Sequence, residues 1–323
     1  SGARTERDRS RQPGWNMRQT SVAAVIVSYR SDDRLFRGLD ALASQVGRII
    51  VVDNDSGDAV TAKLKDVAEA GGNKIRLVLN DDNAGLAAAQ NQGIQLALEE
   101  GADWVLLLDD DSVPDAGMVE TLLAAYAMHP MPERIGLVAP RLHDAECTLK
   151  ARAYVSKHAF DFRPVRFGPG DVVDNVAFVM ASGSLVKADV LREVGLMRED
   201  FFVDYIDFEF AFRMRRFGWG LIAVGDAGLE HRLGEFEHKR MFGRDFRFNS
   251  HSGFRRYHIY RNRMRVWRAH GFRLPAFFAF EVASIAIDLA KLILLEDDKL
   301  EKLGAIGRGV MHAMLGRASS RVG

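Results

Sequence analysis

Trp104-Val105-Leu106-Leu107-Leu108 runs directly into Asp109-Asp110-Asp111. An apolar run of that length reads as a strand covered on both faces. Three adjoining carboxylates repel one another, so at the mouth of such a strand they call for a cation. The outer two, in Asp-X-Asp spacing, suit Mg²⁺ or Mn²⁺, hard ions that prefer oxygen and whose shell a diphosphate can complete. The alternative use of these acids is a charged turn capping the next helix, with Asp115 assisting.

Outward from that stretch, residues 22–27, 48–52 and 75–79 are further short apolar runs, separated by amphipathic segments at 33–45, 58–70 and 84–99. The alternation predicts a parallel, doubly wound α/β sheet. Polar residues follow each run: Ser28-Tyr29, Asp53-Asn54-Asp55-Ser56, residues 80–83, and the three aspartates. In such a sheet all four sets meet along the carboxyl edge, where ligands bind. Further on, the pattern predicts a helix at 115–128, a strand at 135–139, and an irregular stretch at 140–175 with a candidate hairpin. A strand at 176–184 ends in Ser182-Gly183-Ser184, and helices follow at 187–194 and 207–217. A short strand at 221–224 leads to His231, and the chain beyond Phe254 reads as helical around the apolar segment 275–295.

Bulk properties narrow the class. The 323 residues suffice for one large or two smaller domains, and 47% apolar with 27% charged content is that of a soluble globular protein. Lys and Arg number 44, matching 44 Asp and Glu, so net charge argues for no partner. Cys147 is the single cysteine, which excludes an internal disulfide and a Cys-based zinc site and fits a reducing compartment. Glu281, Asp288 and Lys291 interrupt the best spanning candidate, so no transmembrane helix is expected. Residues 1–20 are expected to be a disordered tail without a signal peptide, Ser1-Gly2 being an appended remnant.

Together, the strand ending in Ser28-Tyr29, Val52-Asp53-Asn54-Asp55-Ser56, Asn83-Ala84-Gly85 through Asn91-Gln92-Gly93, and Leu108 to Ser112 resemble the inverting glycosyltransferase family 2, of GT-A fold. The resemblance continues through Ser182-Gly183-Ser184, the segment 201–207, Arg213 and His231. Within the family it is most similar to bacterial rhamnosyltransferases of surface-polysaccharide assembly, with which Tyr260-Arg261-Asn262 is also shared. It implies a GT-A, Rossmann-like, mostly parallel sheet at residues 21–253, with a nucleotide-binding half (21–112), an acceptor half (113–253) and a C-terminal helical, basic and amphipathic extension (254–323).

The resemblance also implies residue roles. Asp53 would accept a hydrogen bond from the pyrimidine imide, with Ser28 and Tyr29 lining the base pocket. Asn83, Gly85 and Asn91 would lie near the nucleotide. Asp111 would ligate the metal, Asp109 would meet ribose or metal, and His231 would reach the metal or diphosphate from the far side. Asp110 would belong to the donor-binding set, or be only a bystander near the sugar. Asp207, six residues before Arg213, would be the base, because inversion needs a proton acceptor opposite the leaving group. On a helix Asp204 and Asp207 would share a face, and Glu209 would pair with Arg213 four residues on. Ile206 stands where the family often has Glu, which leaves Asp204's share in the chemistry open.

Other readings stay double. Gly183 lets backbone approach the sugar diphosphate, or makes a tight turn; Ser184 beside it is a candidate acceptor or phosphate contact. Residues 232–253, with Arg240, Arg244 and Arg247, are a lid touching phosphate or an exposed basic loop. The arginines and aromatics of 255–268, followed by the apolar helix, suit either an anionic membrane surface or packing against the catalytic domain or a second copy in a homodimer. No nucleic-acid motif accompanies them.

The expected activity is metal-dependent transfer of L-rhamnose from dTDP-rhamnose to a hydroxyl of a bacterial glycan or polyprenyl-linked oligosaccharide. It would occur in the cytoplasm or at the inner face of the plasma membrane. The same-fold rival is a UDP-sugar-dependent galactofuranosyl or hexosyl transferase. A sugar-phosphate nucleotidyltransferase would need a glycine-rich basic loop where this chain reads Ser28 to Asp33. NAD chemistry would need Gly-X-Gly-X-X-Gly. A non-catalytic glycan- or lipid-binding scaffold is the remaining class.

Overall fold

The computed structural model describes residues 20–145, 151–232, 236–241 and 244–316. Most of the expected tail and Cys147 lie outside the described residues. The first half follows the predicted alternation: β1 (Val22–Ser28), α1 (Asp33–Leu42), β2 (Arg48–Asp53), α2 (Asp58–Gly71), β3 (Ile75–Leu79), α3 (Leu86–Glu99) and β4 (Trp104–Asp109). β5 (Ser112–Pro114), α4 (Met118–Met128), β6 (Ile135–His143), β7 (Arg152–Val155), β8 (Arg163–Arg166), β9 (Val172–Val173), β10 (Val176–Phe178), β11 (Leu185–Lys187), α5 (Ala188–Val194), α6 (Ile206–Arg216) and β12 (Gly220–His231) follow. A hairpin of β13 (Phe236–Met241) and β14 (Arg244–Asn249) leads to the helices α7 (Gly253–His270), α8 (Pro275–Leu295) and α9 (Lys299–Met314).

The main sheet runs β3-β2-β1-β4-β11-β6-β12-β5, with β9 also on β12. β3, β2, β1 and β4 are parallel, as the alternation predicts. Beyond them the sheet is mixed, because β11 enters antiparallel between β4 and β6 while β12 runs parallel to β6. Residues on β1 alternate between two cores. Ala23, Val25 and Val27 pack with α3, α5 and α6, and Val22, Ala24 and Ile26 pack with α1 and α4. Burial on both faces explains why β1, β2 and β4 are apolar throughout. β3 departs from that expectation: it is an edge strand, and Leu79 is 44% exposed.

Two other predictions change. Residues 176–184 do not form one strand: β10 pairs with β7 in a small separate sheet, and β11 starts only at Leu185. The break falls at Gly183, whose φ of +80° no strand accommodates. The short strand predicted at 221–224 extends to His231, with a shift in register between Val224 and Gly228. The irregular stretch does hold a hairpin, β7 against β8.

The C-terminal helices share the core beneath the main sheet, since Val266 of α7 and Phe277 of α8 lie in the same cluster as Val105 and Phe210. The basic run on α7 is largely internal. Arg256 is 1% exposed and pairs with Asp288 at 2.9 Å and with Glu296. Arg261 is fully buried and donates to the Asp200 carbonyl at 2.8 Å. Arg263 donates to Glu281 at 2.9 Å and to the Tyr205 hydroxyl. Helix amphipathicity is inverted here because buried acids on α8 and on the segment before α9 supply the partners.

Candidate active site

Sheet register gathers the site. Ser28 stands opposite Asp53, and Val27 opposite Asp109, so the ends of β1, β2 and β4 lie side by side. β12 returns antiparallel to β5 with His231 opposite Ser112, which carries the histidine to the aspartates. Ligand atoms of Asp109, Asp111 and His231 all lie within 4.8 Å of one another. Two carboxylates and an imidazole at that separation fit a hard or borderline divalent cation. Their titration fits as well. Burial, with Asp111 and Asp110 nearby, pushes the Asp109 carboxyl up to about 6 against the pull of His231. Burial also opposes ionisation of Asp111, but the hydrogen bond and charge of His231 outweigh it and hold its carboxyl below the ordinary value. His231 is raised in turn: burial would lower it, yet Asp111 at 3.2 Å and Asp109 prevail.

Ser112 and Ser182, not anticipated from the sequence as site residues, align this cluster. The Ser112 hydroxyl lies 2.7 Å from His231 Nδ1 and 2.8 Å from Ser182 Oγ, which accepts the Asp109 N–H at 3.0 Å. Such outer partners fix the orientation of ligating groups. Asp115 does not cap the helix as the turn reading required; its carboxylate meets His143 at 3.0 Å.

On the nucleotide side, Asp53 is 2% exposed and accepts from Ser28 Oγ and Ser56 N, both at 3.2 Å, and from Thr61 Oγ1 at 2.6 Å. Roughly one of a carboxylate's four acceptor positions remains for a base. Ser28 is buried and held by Ser31 and Ser56 as well, whereas Tyr29 is 39% exposed at the cleft. Asp110 is more than a bystander: it accepts from the Tyr29 N–H at 3.1 Å and from the Ser31 hydroxyl, tying the loop after β4 to the loop after β1. Asn83 Oδ1 accepts from Asn54 Nδ2 at 2.8 Å and Gly85 N at 2.9 Å, which shapes the turn into α3. Asn91 is engaged inside the protein, donating to the Met197 carbonyl and Glu199 and accepting from Met197 N. Gly85 has φ +90°, and a Cβ there would meet the Phe202 ring at 2.6 Å, so α3 abuts the segment leading to Asp207.

Asp207 lies in the first turn of α6, which favours a carboxylate through its amides and dipole. Burial nevertheless pushes its carboxyl up to about 7; the Phe208 N–H at 2.9 Å pulls it down, while Asp204 and Asp109 push it up. That value suits a base at neutral pH. Asp204 does not share a helical face with it. Asp204 and Tyr205 precede α6 with φ of +62° and +66°, a conformation rare for residues with a Cβ. Asn262 on α7 holds this turn by donating to the Val203 and Asp204 carbonyls at 2.8 and 2.9 Å. The Asp204 carboxylate takes a bidentate pair from Arg255, at 3.0 and 2.9 Å. Glu209 and Arg213 form the expected buttress, and Arg213 also donates to the Val194 and Leu196 carbonyls.

Beyond its positive φ, a Cβ on Gly183 would meet Pro140 at 2.5 Å and Leu229 at 2.7 Å, so the glycine serves a tight turn packed closely on its neighbours. One expected contact is corrected. Ser184 is fully buried and donates to the Met180 carbonyl at 2.7 Å. Arg240 lies exposed on the β13–β14 hairpin. Residues 233–235 and 242–243 of the proposed lid, and the side chains of Arg244 and Arg247, lie outside the described residues.

The chain is similar to known glycosyltransferases. Residues 23–136 match the family described as Glycosyl transferase family 2. The chain is 26% identical over 294 residues to the dTDP-rhamnosyl transferase RfbF of Shigella flexneri, covering 87% of this chain and 91% of that one. It is 29% identical over 266 residues to the galactofuranosyltransferase GlfT1 of Mycobacterium tuberculosis, covering 78% and 84%. Among solved structures, GalNAc-T7 with UDP, GalNAc and Mn²⁺ superposes with a TM-score of 0.59 at 15% identity. That match spans 79% of this chain but only 48% of GalNAc-T7.

Proposed function

We propose the reaction of a chain that is a glycosyltransferase, with a family 2 domain on a GT-A fold: inverting transfer of a deoxyhexose, L-rhamnose, from its dTDP donor to a glycan hydroxyl. One observation carries the chemistry. Asp207, with its carboxyl raised by burial to about 7, lies within the electrostatic reach of Asp109, which belongs to the cluster with Asp111 and His231. Asp207 takes the acceptor proton as the acceptor oxygen bonds to the anomeric carbon, and the bond from that carbon to the diphosphate oxygen breaks on the opposite face. The proton ends on Asp207 and the electron pair on the departing nucleoside diphosphate. Asp109, Asp111 and His231 would hold a divalent cation, which when bound offsets charge on the leaving group.

The similarity to RfbF supports rhamnose and thymine. The similarity to GlfT1 supports a second reading, in which the donor is a galactofuranosyl nucleotide. Thermal-shift titration with dTDP-rhamnose and UDP-sugars, each with Mn²⁺, decides between them. A shift from dTDP-rhamnose alone is expected, and a shift from no nucleotide would sink both. Asp111→Ala should abolish the Mn²⁺-dependent part of donor affinity in calorimetry. Asp207→Asn should retain donor affinity and lose turnover by about a thousandfold.

The acceptor is a polyprenyl-linked glycan reached at an anionic membrane surface. The outer face of α8 supports this reading: Phe278, Val282, Ile287, Ile293 and Leu294 are 40–59% exposed, with Lys291 and, before the helix, Arg273 exposed beside them.

A further inference from the structure

The charges of the cleft do not balance once a nucleotide sugar is added. Asp109, Asp111, Asp204 and Asp207 act on one another's charge there. A diphosphate adds further negative charge, and Asp109, Asp111 and His231 together offer a place for one divalent ion. Another cation is needed where the leaving group departs.

α7 supplies one. Its arginines divide by direction: Arg256, Arg261 and Arg263 point inward and are spent on buried partners, whereas Arg255 points to the cleft with half its side chain exposed. Its guanidinium forks onto Asp204 and also lies within the field of Asp109. Its backbone is fixed, because the Ser252 hydroxyl caps α7 by accepting the Arg255 N–H and Asn262 ties the same helix to the Asp204 carbonyl. A half-exposed ion pair is weak. A planar guanidinium matches a diphosphate's oxygens at least as well as a carboxylate's, and the diphosphate carries more charge.

Building on the nucleotide-sugar reading above, we propose that Arg255 is a diphosphate-binding residue of the donor site, parked on Asp204 until the donor arrives. When the donor enters, the guanidinium moves from Asp204 to the phosphate oxygens. The Asp204 carboxylate is then left unpaired beside Asp207, which strengthens the base only when a donor is present. The C-terminal extension thus contributes a residue to catalysis as well as walls to the fold.

Calorimetry in Mn²⁺ with nucleoside monophosphate and diphosphate, on the full chain, tests this. Arg255→Ala should weaken the diphosphate by about tenfold or more and leave the monophosphate within about twofold. Arg255→Lys should recover part of the loss. Asp204→Asn, which tolerates the positive φ, should tighten the diphosphate by releasing the guanidinium. Unchanged diphosphate affinity in a folded Arg255→Ala protein would overturn the assignment. So would an equal loss of both nucleotides, since Arg255 would then only prop the site. If the wild-type chain binds neither nucleotide, the nucleotide-sugar reading itself fails, and this inference fails with it.

Discussion

Asp207 shows how a partly buried place raises a carboxyl toward neutral pH. In the unfolded chain it loses its proton near the ordinary value of 3.8, whereas in the fold it holds the proton until about pH 7. Stability from the protonated group is therefore fully present below about pH 4 and is lost as pH rises through 7. Two outcomes follow from the sign. kcat/KM should rise with pH through an apparent pKa near 7 as the base ionises. Asp207→Asn should melt higher than wild type at pH 8, by roughly 2–4 °C, with the difference closing toward pH 4. An activity profile flat from pH 5 to 9 would remove Asp207 from the proton transfer. The aspartates at 109–111, equivalent on paper, are unequal in place. Asp109 and Asp111 join His231, while Asp110 turns away to hold Tyr29 and Ser31.

The decisive element is the turn at 203–205 that launches α6. Two consecutive residues with side chains at positive φ cost on the order of 1–2 kcal/mol each. α7 offsets that cost through Asn262 on two carbonyls and Arg263 on the Tyr205 hydroxyl, which also donates to Glu281 of α8 at 2.7 Å. Asn262→Ala would leave the Val203 and Asp204 carbonyls without these donors, at about 1–3 kcal/mol. It should lower the melting temperature and reduce kcat at least tenfold, because Asp207 rides on the helix this turn aims. A loss of stability with kcat intact would mean that the aim of α6 is set elsewhere. In the sequence Tyr260-Arg261-Asn262 stands out only by resemblance, whereas in the fold Arg261 and Asn262 hold the Asp200, Val203 and Asp204 carbonyls.

At the scale of the whole molecule, the helical extension has two faces. Its inner face closes the catalytic core with buried ion pairs, so the arginines that suggested membrane docking are mostly unavailable for it. Its outer face on α8 is apolar and uncovered. No helix among the described residues is long and apolar enough to cross a membrane, so docking would be lateral. Ile287, 58% exposed, lies on that face. Ile287→Asp should abolish co-sedimentation with anionic vesicles while leaving donor binding unchanged. A variant that instead turns a dimer into a monomer in sedimentation, with vesicle binding unaltered, would assign the face to a second copy.

The sequence by itself determined the parallel half of the sheet, because strands buried on both faces must be apolar throughout and each needs a helical crossover. It also placed Asp53, Asp109 and Asp111 at strand ends, since the alternation leaves polar residues nowhere else to go. The Glu209–Arg213 pair was legible too, being four residues apart on one helix. Long-range packing decided the rest. Local pattern cannot tell whether a glycine's missing side chain makes room for a ligand or for Pro140 and Leu229, or whether Asn91 faces a nucleotide or Met197. Nor can it show that arginines in a basic run point inward, because their acidic partners lie 18 to 65 residues away. The supports behind the site, Ser112, Ser182 and Asn262, were hidden for the same reason: each acts through a neighbour that only the fold supplies.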